Sequence, residues 1–418
     1  MDKKIDTFVK QSLTIFIILL PIALITGPFL SDLLISLSSI IFIFYCIYFK
    51  NFKYFNNNFF KFFLIFYLLC LISALVSDFK LISSFKSFFY FRFGVFAIAF
   101  YFVLSANKKL IKLLFISLFL CFLILVLDGL FEYITGANIL GNPRYHELRL
   151  SSLFGDELIY GSYLLRLLPI LIALFFLTKF SKQNNTIFLF FLFVLFTLLA
   201  IFLSGERASF FLSIFLVVYL IIMINKFSKY FFLCLTSLLI LILISAQLNN
   251  QIKARMFDLT MTQLGLDKKS DSGISPIYKG HFLIAEELFK SNKFIGVGPK
   301  NYRQHCYNDK KYSKPPYVCT THPHNSYVQL LAETGSLGFL MIFSLFIFFS
   351  INSMKHIYLR LFRNIELYNF PKICLMASVI ITLWPLTTSG SFFNNYINIF
   401  YFFPVGILLY QSEKTKIS

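Results

Sequence analysis

Long, mostly uncharged apolar runs punctuate this sequence, and they constrain the fold more than any other feature. They fall at about 11–31, 33–49, 59–76, 84–104, 111–133, 157–178, 186–204, 208–225, 230–247, 336–354, 370–388 and 394–411. A helix needs ~20 apolar residues to cross the hydrocarbon core of a bilayer. The runs therefore predict an all-α polytopic membrane protein with about twelve transmembrane helices. Only 14% of residues are charged, against ~25% in soluble domains, which excludes a soluble enzyme, a disordered chain and a secreted disulfide scaffold. Open sheets cannot face lipid, and the runs are too long and too uniformly apolar for barrel strands. The first run has no small-residue cleavage site, so it predicts an uncleaved first helix and not a signal peptide.

The net charge of +19 would suggest nucleic acid in a soluble chain. Here its distribution reports topology. With the N-terminus inside, nineteen lysines and arginines fall on inner segments; five (Lys80, Lys86, Arg144, Arg149 and Arg207) fall on short outer loops. That bias predicts both termini in the cytoplasm. It divides the chain into a nine-helix membrane region at 1–247, a large outer loop at 248–325 and a three-helix membrane region at 326–418. Long loops translocate largely regardless of charge, so the outer loop does not vote.

Five of the seven cysteines sit in apolar runs as small core residues. Cys306 and Cys319 lie in the outer loop, with twelve residues between them. On an oxidising side such a pair predicts a disulfide, worth ~3 kcal/mol for a loop this short. The alternative is a metal site with His305, His322 and His324, but no C-x-x-C spacing supports zinc.

The densest polar cluster is Thr320-Thr321-His322-Pro323-His324-Asn325-Ser326-Tyr327, closing the long loop. A helical stretch follows, with Asn325 or Ser326 as its cap. His324 is thereby expected at a helix start on the membrane surface, as a proton-exchanging group or as a histidine that only braces the loop. Arg92 and Arg166 lie inside apolar runs, and Arg207 lies in a turn between two runs. Ionisable groups at membrane depth are functional candidates by default, and guanidinium groups match phosphate oxygens in pairs. The plainer expectation is neutralisation: Glu206 for Arg207, and Asp156 or Glu157 for Arg149. No Walker loop, dinucleotide fingerprint or H-E-x-x-H occurs, so the energy for any reaction is expected to come from an activated substrate.

His324-Asn325, nine residues, then Gly335-Ser336-Leu337-Gly338 resembles the H-N-x9-G-x-x-G signature of the O-antigen ligase family, which shares a domain with O-antigen polymerases and protein O-oligosaccharyltransferases. Gly296-Val297-Gly298-Pro299 is similar to the family's loop motif, and Ser204 to Ser209 to its arginine-bearing outer turn. Phe154-Gly155-Asp156-Glu157 with Gly161, Ser162 and Arg166 is similar to the segment opening the sixth span. The resemblance covers roughly 140–345.

It implies transfer of a glycan from undecaprenyl pyrophosphate to an acceptor hydroxyl, in a bacterial inner membrane, without metal, nucleotide or other cofactor. Carried onto this chain, His324 is the general base. Arg207 and Arg166 stabilise the leaving pyrophosphate, with Arg255 and Arg303 as lesser candidates and Asn325 in substrate binding. Attack from the opposite face implies inversion. The implied partners are the lipid-linked donor, membrane lipid and an acceptor: lipid A core for a ligase, another glycan unit for a polymerase. A transporter or flippase is the reading from another class. It expects midplane charges and inverted repeats, whereas the polar groups here gather in one outer loop.

Overall fold

A computed structural model describes residues 2–146, 148–248, 250–263 and 276–417. Within the expected outer loop, positions 249 and 264–275 lie outside the described residues. The chain is all-helical, with no strand among the described residues. The helices are α1 (Asp2–Ile25), α2 (Pro28–Tyr48), α3 (Asn58–Leu75), α4 (Lys80–Phe88), α5 (Phe91–Ala106), α6 (Lys109–Thr135), α7 (Tyr160–Leu177), α8 (Asn184–Leu203), α9 (Arg207–Met223) and α10 (Ser228–Leu248). There follow α11 (Asn250–Lys253), α12 (Leu259–Gln263), α13 (Pro276–Ser291), α14 (Asn301–Asn308), α15 (Ser326–Arg363), α16 (Phe370–Thr382) and α17 (Asn395–Ile417). Nine stretches of the described residues are long and apolar enough to cross a membrane, and α9 and α16 are shorter apolar helices. The protein is a multi-pass membrane protein.

Two of the expected runs are divided differently. The first break comes at Thr26–Gly27 and not near residue 32, because Gly27 adopts φ +116° and Pro28 opens α2 at a position that needs no N–H. The fourth run is two helices, α4 and α5, separated by a turn at Phe89–Tyr90. α4 is amphipathic: Ser83 and Ser87 are buried, while Leu81, Phe85 and Phe88 are exposed.

The bundle is knit by α7 against α6 and α16, and by α5 against α2 and α17. Phe100, Leu118, Leu168, Phe202 and Ile399 are fully or almost fully buried in one continuous core. Both ends of the chain lie at the same end of the bundle. The Tyr48 hydroxyl donates to Asp2, and Ser105, at the end of α5, donates to Glu413 of α17.

At the opposite end, α13 and α14 form a cap with a small core of its own, built on Ile284, Leu288, Tyr302 and Tyr312. Cys306 and Cys319 are joined there, Cα to Cα 5.4 Å. The glycine motifs explain how the cap is seated. Val297 and Gly298 donate backbone N–H bonds to the Ala332 and Glu333 carbonyls, 3.0 and 2.9 Å. Gly296 (φ +70°) and Gly335 (φ +64°) are left-handed, and a Cβ on either would strike the other segment's backbone. Gly335 also breaks α15, so its first turns stand apart from the long membrane section.

Candidate active site

A cleft of about 1610 Å³ opens at the cap end of the bundle. Three segments that meet at Gly205, together with α7 and α14, bring arginines to it. The turn Ser204-Gly205-Glu206 leads into α9 and carries Arg207. The 148–150 stretch docks on this turn, with the Leu150 N–H on the Ser204 carbonyl at 3.2 Å, and carries Arg149. Gly205 (φ +70°) has no room for a Cβ against the Leu148 carbonyl. The third segment, Ala254–Asp258, winds as a π-helix, a form that recurs at functional sites. Its Arg255 donates to the Gly205 carbonyl at 3.2 Å. Arg166 enters from the side of α7, held by Ser162 Oγ at 3.2 Å and lying over the Phe400 ring.

Glu206 does not neutralise Arg207. Its carboxylate accepts the Gly161 and Ser162 N–H groups at the start of α7, 2.7 and 3.1 Å, and the Ser209 hydroxyl. It caps a helix, where the positive end of the dipole suits it. Asp156 and Glu157 are not paired with Arg149, which instead donates to the Leu158 carbonyl at 2.7 Å. Among the described residues no carboxylate lies within ion-pair distance of Arg149, Arg166, Arg207, Arg255 or Arg303. Among the described residues Arg149 Nε and Arg166 Nη1 are buried with no hydrogen-bond partner. Burial lowers the Arg255 pKa, and Arg207 and Arg149 push it the same way.

His324 lines the same cleft, in a left-handed conformation (φ +56°) held by the Ser389 N–H on its carbonyl at 2.9 Å. A non-glycine residue in that region stores strain, which recurs at active sites. Its ring lies 4.3 Å from His322, 5.4 Å from His281 and 6.0 Å from Tyr278, centroid to centroid. Burial, then His281, lowers the His324 pKa, which favours the neutral imidazole a base requires. His322 contacts the Ser389 carbonyl through Nε2 at 3.3 Å and Thr321 through Nδ1 at 2.9 Å. Burial and His324 bring its pKa down to about 4. Among the described residues no three His, Cys, Asp or Glu side chains are grouped to hold a metal ion.

The cleft thus gathers His324, Arg207, Arg166, Arg255 and Arg303. It does not gather Asn325. That side chain caps α15, accepting from Tyr327 and Val328 N–H at 2.9 and 3.1 Å and donating to the Pro385 carbonyl at 2.8 Å. Arg92 is also elsewhere, paired with Asp32 at 2.8 Å. Sequence reasoning did not single out Arg149 or Tyr278 as site residues. Arg149 carried a signal, being a cation in a short outer loop, whereas Tyr278 carried none.

Residues 192–343 match the family model described as O-antigen ligase. The match runs from the middle of α8 through Arg207, Arg255 and the cap to His324 and both glycines of its motif, and it leaves Arg149 and Arg166 outside. It is the family that the histidine–glycine spacing resembles, and it supports glycan transfer of the O-antigen ligase or polymerase type. No curated protein matches this chain.

Proposed function

We propose that the protein transfers a glycan from undecaprenyl pyrophosphate to an acceptor hydroxyl at the periplasmic face of a bacterial inner membrane, most simply to lipid A core. The carrying observation is the coincidence, in one cleft, of a histidine whose pKa is lowered by burial with five guanidinium groups that have no carboxylate within ion-pair distance among the described residues. In this reading Arg166, Arg207 and Arg255 grip the diphosphate, and Arg149 joins them from the 148–150 stretch. Forked donors suit its oxygens and stabilise the charge that develops as it leaves. His324 takes the proton from the acceptor hydroxyl. The acceptor oxygen bonds to the anomeric carbon from the face opposite the diphosphate. The carbon–oxygen bond to the diphosphate breaks with its electron pair going to the diphosphate, and His324 later passes its proton to water. The anomeric configuration inverts. No nucleotide or metal is invoked, because the diphosphate is itself the activated leaving group.

The charge bias supports this orientation. The lysine-rich segments and both chain ends lie at the end away from the cleft, and an excess of Lys and Arg is the mark of a cytoplasmic side. An O-antigen polymerase would use the same chemistry with a glycan as acceptor. Deleting the gene and analysing the glycolipids separates them. Long chains left on the carrier with uncapped lipid A core support ligation. Core capped with single units means polymerisation, and unchanged glycolipids would refute transfer altogether.

A further inference from the structure

The cleft has a second positive wall that the transfer chemistry leaves unused. Lys300 takes a left-handed conformation (φ +68°) at the start of α14 and reaches toward Ser391 Oγ at 3.4 Å. Arg303 lies one turn further along α14. Lys86 stands opposite on α4, four residues after Ile82, so the two share a helix face, and both line the cleft. The charged neighbours of Arg255 are Arg207, Arg149 and Glu206, with the Tyr278 hydroxyl group beside them. Those of Lys300 are Glu333, Lys86 and Arg303. No cation is common to the two sets, so the cleft has two positive poles. His322 adjoins the Lys300 pole, while His324 has the ring of Tyr278, a neighbour of Arg255, beside it.

The second pole also has an amphipathic helix beside it. α4 exposes Leu81, Phe85 and Phe88, while Ser83 packs against Gly298. A short helix with an apolar outer face and lysines beside it suits the headgroup layer of a bilayer, and that is the layer in which a lipid-anchored molecule carries its phosphates.

We propose that Lys86, Lys300 and Arg303 form a second anion site, which holds a phosphate group of a membrane-anchored glycolipid acceptor across the histidines from the donor diphosphate. The assignment of this ligand as acceptor rests on the transfer reading above. It gives Arg303 a place with the acceptor and not with the donor. The chemistry of the two poles differs accordingly: guanidinium forks dominate at the diphosphate, and two lysine point charges dominate here.

The test measures binding to the His324→Ala protein in nanodiscs, so that turnover cannot mask it. The probes are a core-bearing lipid A glycolipid and the same glycolipid after chemical dephosphorylation. The phosphorylated form should bind at least about tenfold tighter, the worth of one charge-assisted hydrogen bond. A Lys86→Gln, Lys300→Gln, Arg303→Gln triple variant should erase that difference and leave undecaprenyl diphosphate binding unchanged. Arg303→Gln alone, an exposed change, should narrow it. Equal binding of the two glycolipids to the unsubstituted pole overturns the proposal, whatever the variants' folding. So does loss of undecaprenyl diphosphate binding in the triple variant, which would make this a donor site. Competition by phosphatidylglycerol as strong as that by the glycolipid overturns it too, as a general lipid contact. A wild-type protein that selects the phosphorylated glycolipid yet transfers no glycan would sink the transfer reading and leave this anion site standing.

Discussion

Arg92 and Arg166 each interrupt an apolar run near the start of a helix, yet they sit in opposite surroundings. Arg92 is saturated. Its Nε and Nη2 meet Asp32 at 2.9 and 2.8 Å, Nη1 meets the Phe89 carbonyl, and Asn395 steadies the other Asp32 oxygen. Arg166 has Ser162 Oγ and the face of Phe400, and its Nη1 is buried with nothing to bond. A charge buried without compensation is costly. In the proposed function an anion arriving from outside supplies that compensation. The comparison sets an arginine paired inside the bundle against one that, among the described residues, lines the cleft without an ionic partner.

The largest effect is expected at the base. His324→Ala should lower transfer by ~10²–10⁴-fold in a reconstituted assay with lipid-linked glycan, while expression and insertion persist. Full activity in that variant would remove the histidine from the chemistry. Next come the arginines. Arg166→Ala and Arg207→Ala should each cost ~10²–10³-fold in kcat, with Arg207→Lys recovering only part, since it restores charge without the fork. Arg92→Ala should instead strand Asp32 and destabilise the fold by roughly 3–5 kcal/mol, yet molecules that insert should keep their specific activity. Equal catalytic losses at Arg92 and Arg166 would break the comparison.

Smaller effects sharpen it. The transfer rate should hold on acidification past ~6.5, the ordinary histidine value, and fall only below it, because the His324 pKa is lowered. His322 bears on stability. Its pKa is about 4 in the folded chain, so the unfolded chain binds more protons below ~6.5. Stability should therefore drop as pH falls from ~6.5 toward 4, and His322→Gln should flatten that part of the melting curve. Asn325→Ala should cost ~1 kcal/mol as a lost cap. Its effect should appear in melting temperature more than in the donor's KM.

The periodic apolar runs made the helical membrane fold legible. They misplaced breaks where backbone chemistry outweighs hydropathy, as at Gly27–Pro28 and between α4 and α5. The site was legible where type and spacing act together. His324 with Gly335 and Gly338 marks a strained turn and a close backbone approach. Compensation was not legible. Nothing local says that Asp32 belongs to Arg92, or that Glu206 turns from Arg207 to the start of α7, because both are long-range contacts fixed by helix packing. Asn325 was read both as a cap and as a binding residue; its oxygen caps α15 and its amide bonds the Pro385 carbonyl. The match to residues 192–343 bears out the resemblance, while its acceptor stays a proposal.

The central claim is that the unpaired arginines of the cleft hold the donor's diphosphate. It is tested most directly by titrating undecaprenyl diphosphate into purified wild-type, Arg166→Gln and Arg92→Gln proteins in nanodiscs, each first shown to be folded. Charge-assisted hydrogen bonds are worth ~1.5–3 kcal/mol. Arg166→Gln should therefore weaken binding by about tenfold or more, with Arg92→Gln unchanged. Wild-type affinity in Arg166→Gln, or equal weakening in both variants, would contradict the account.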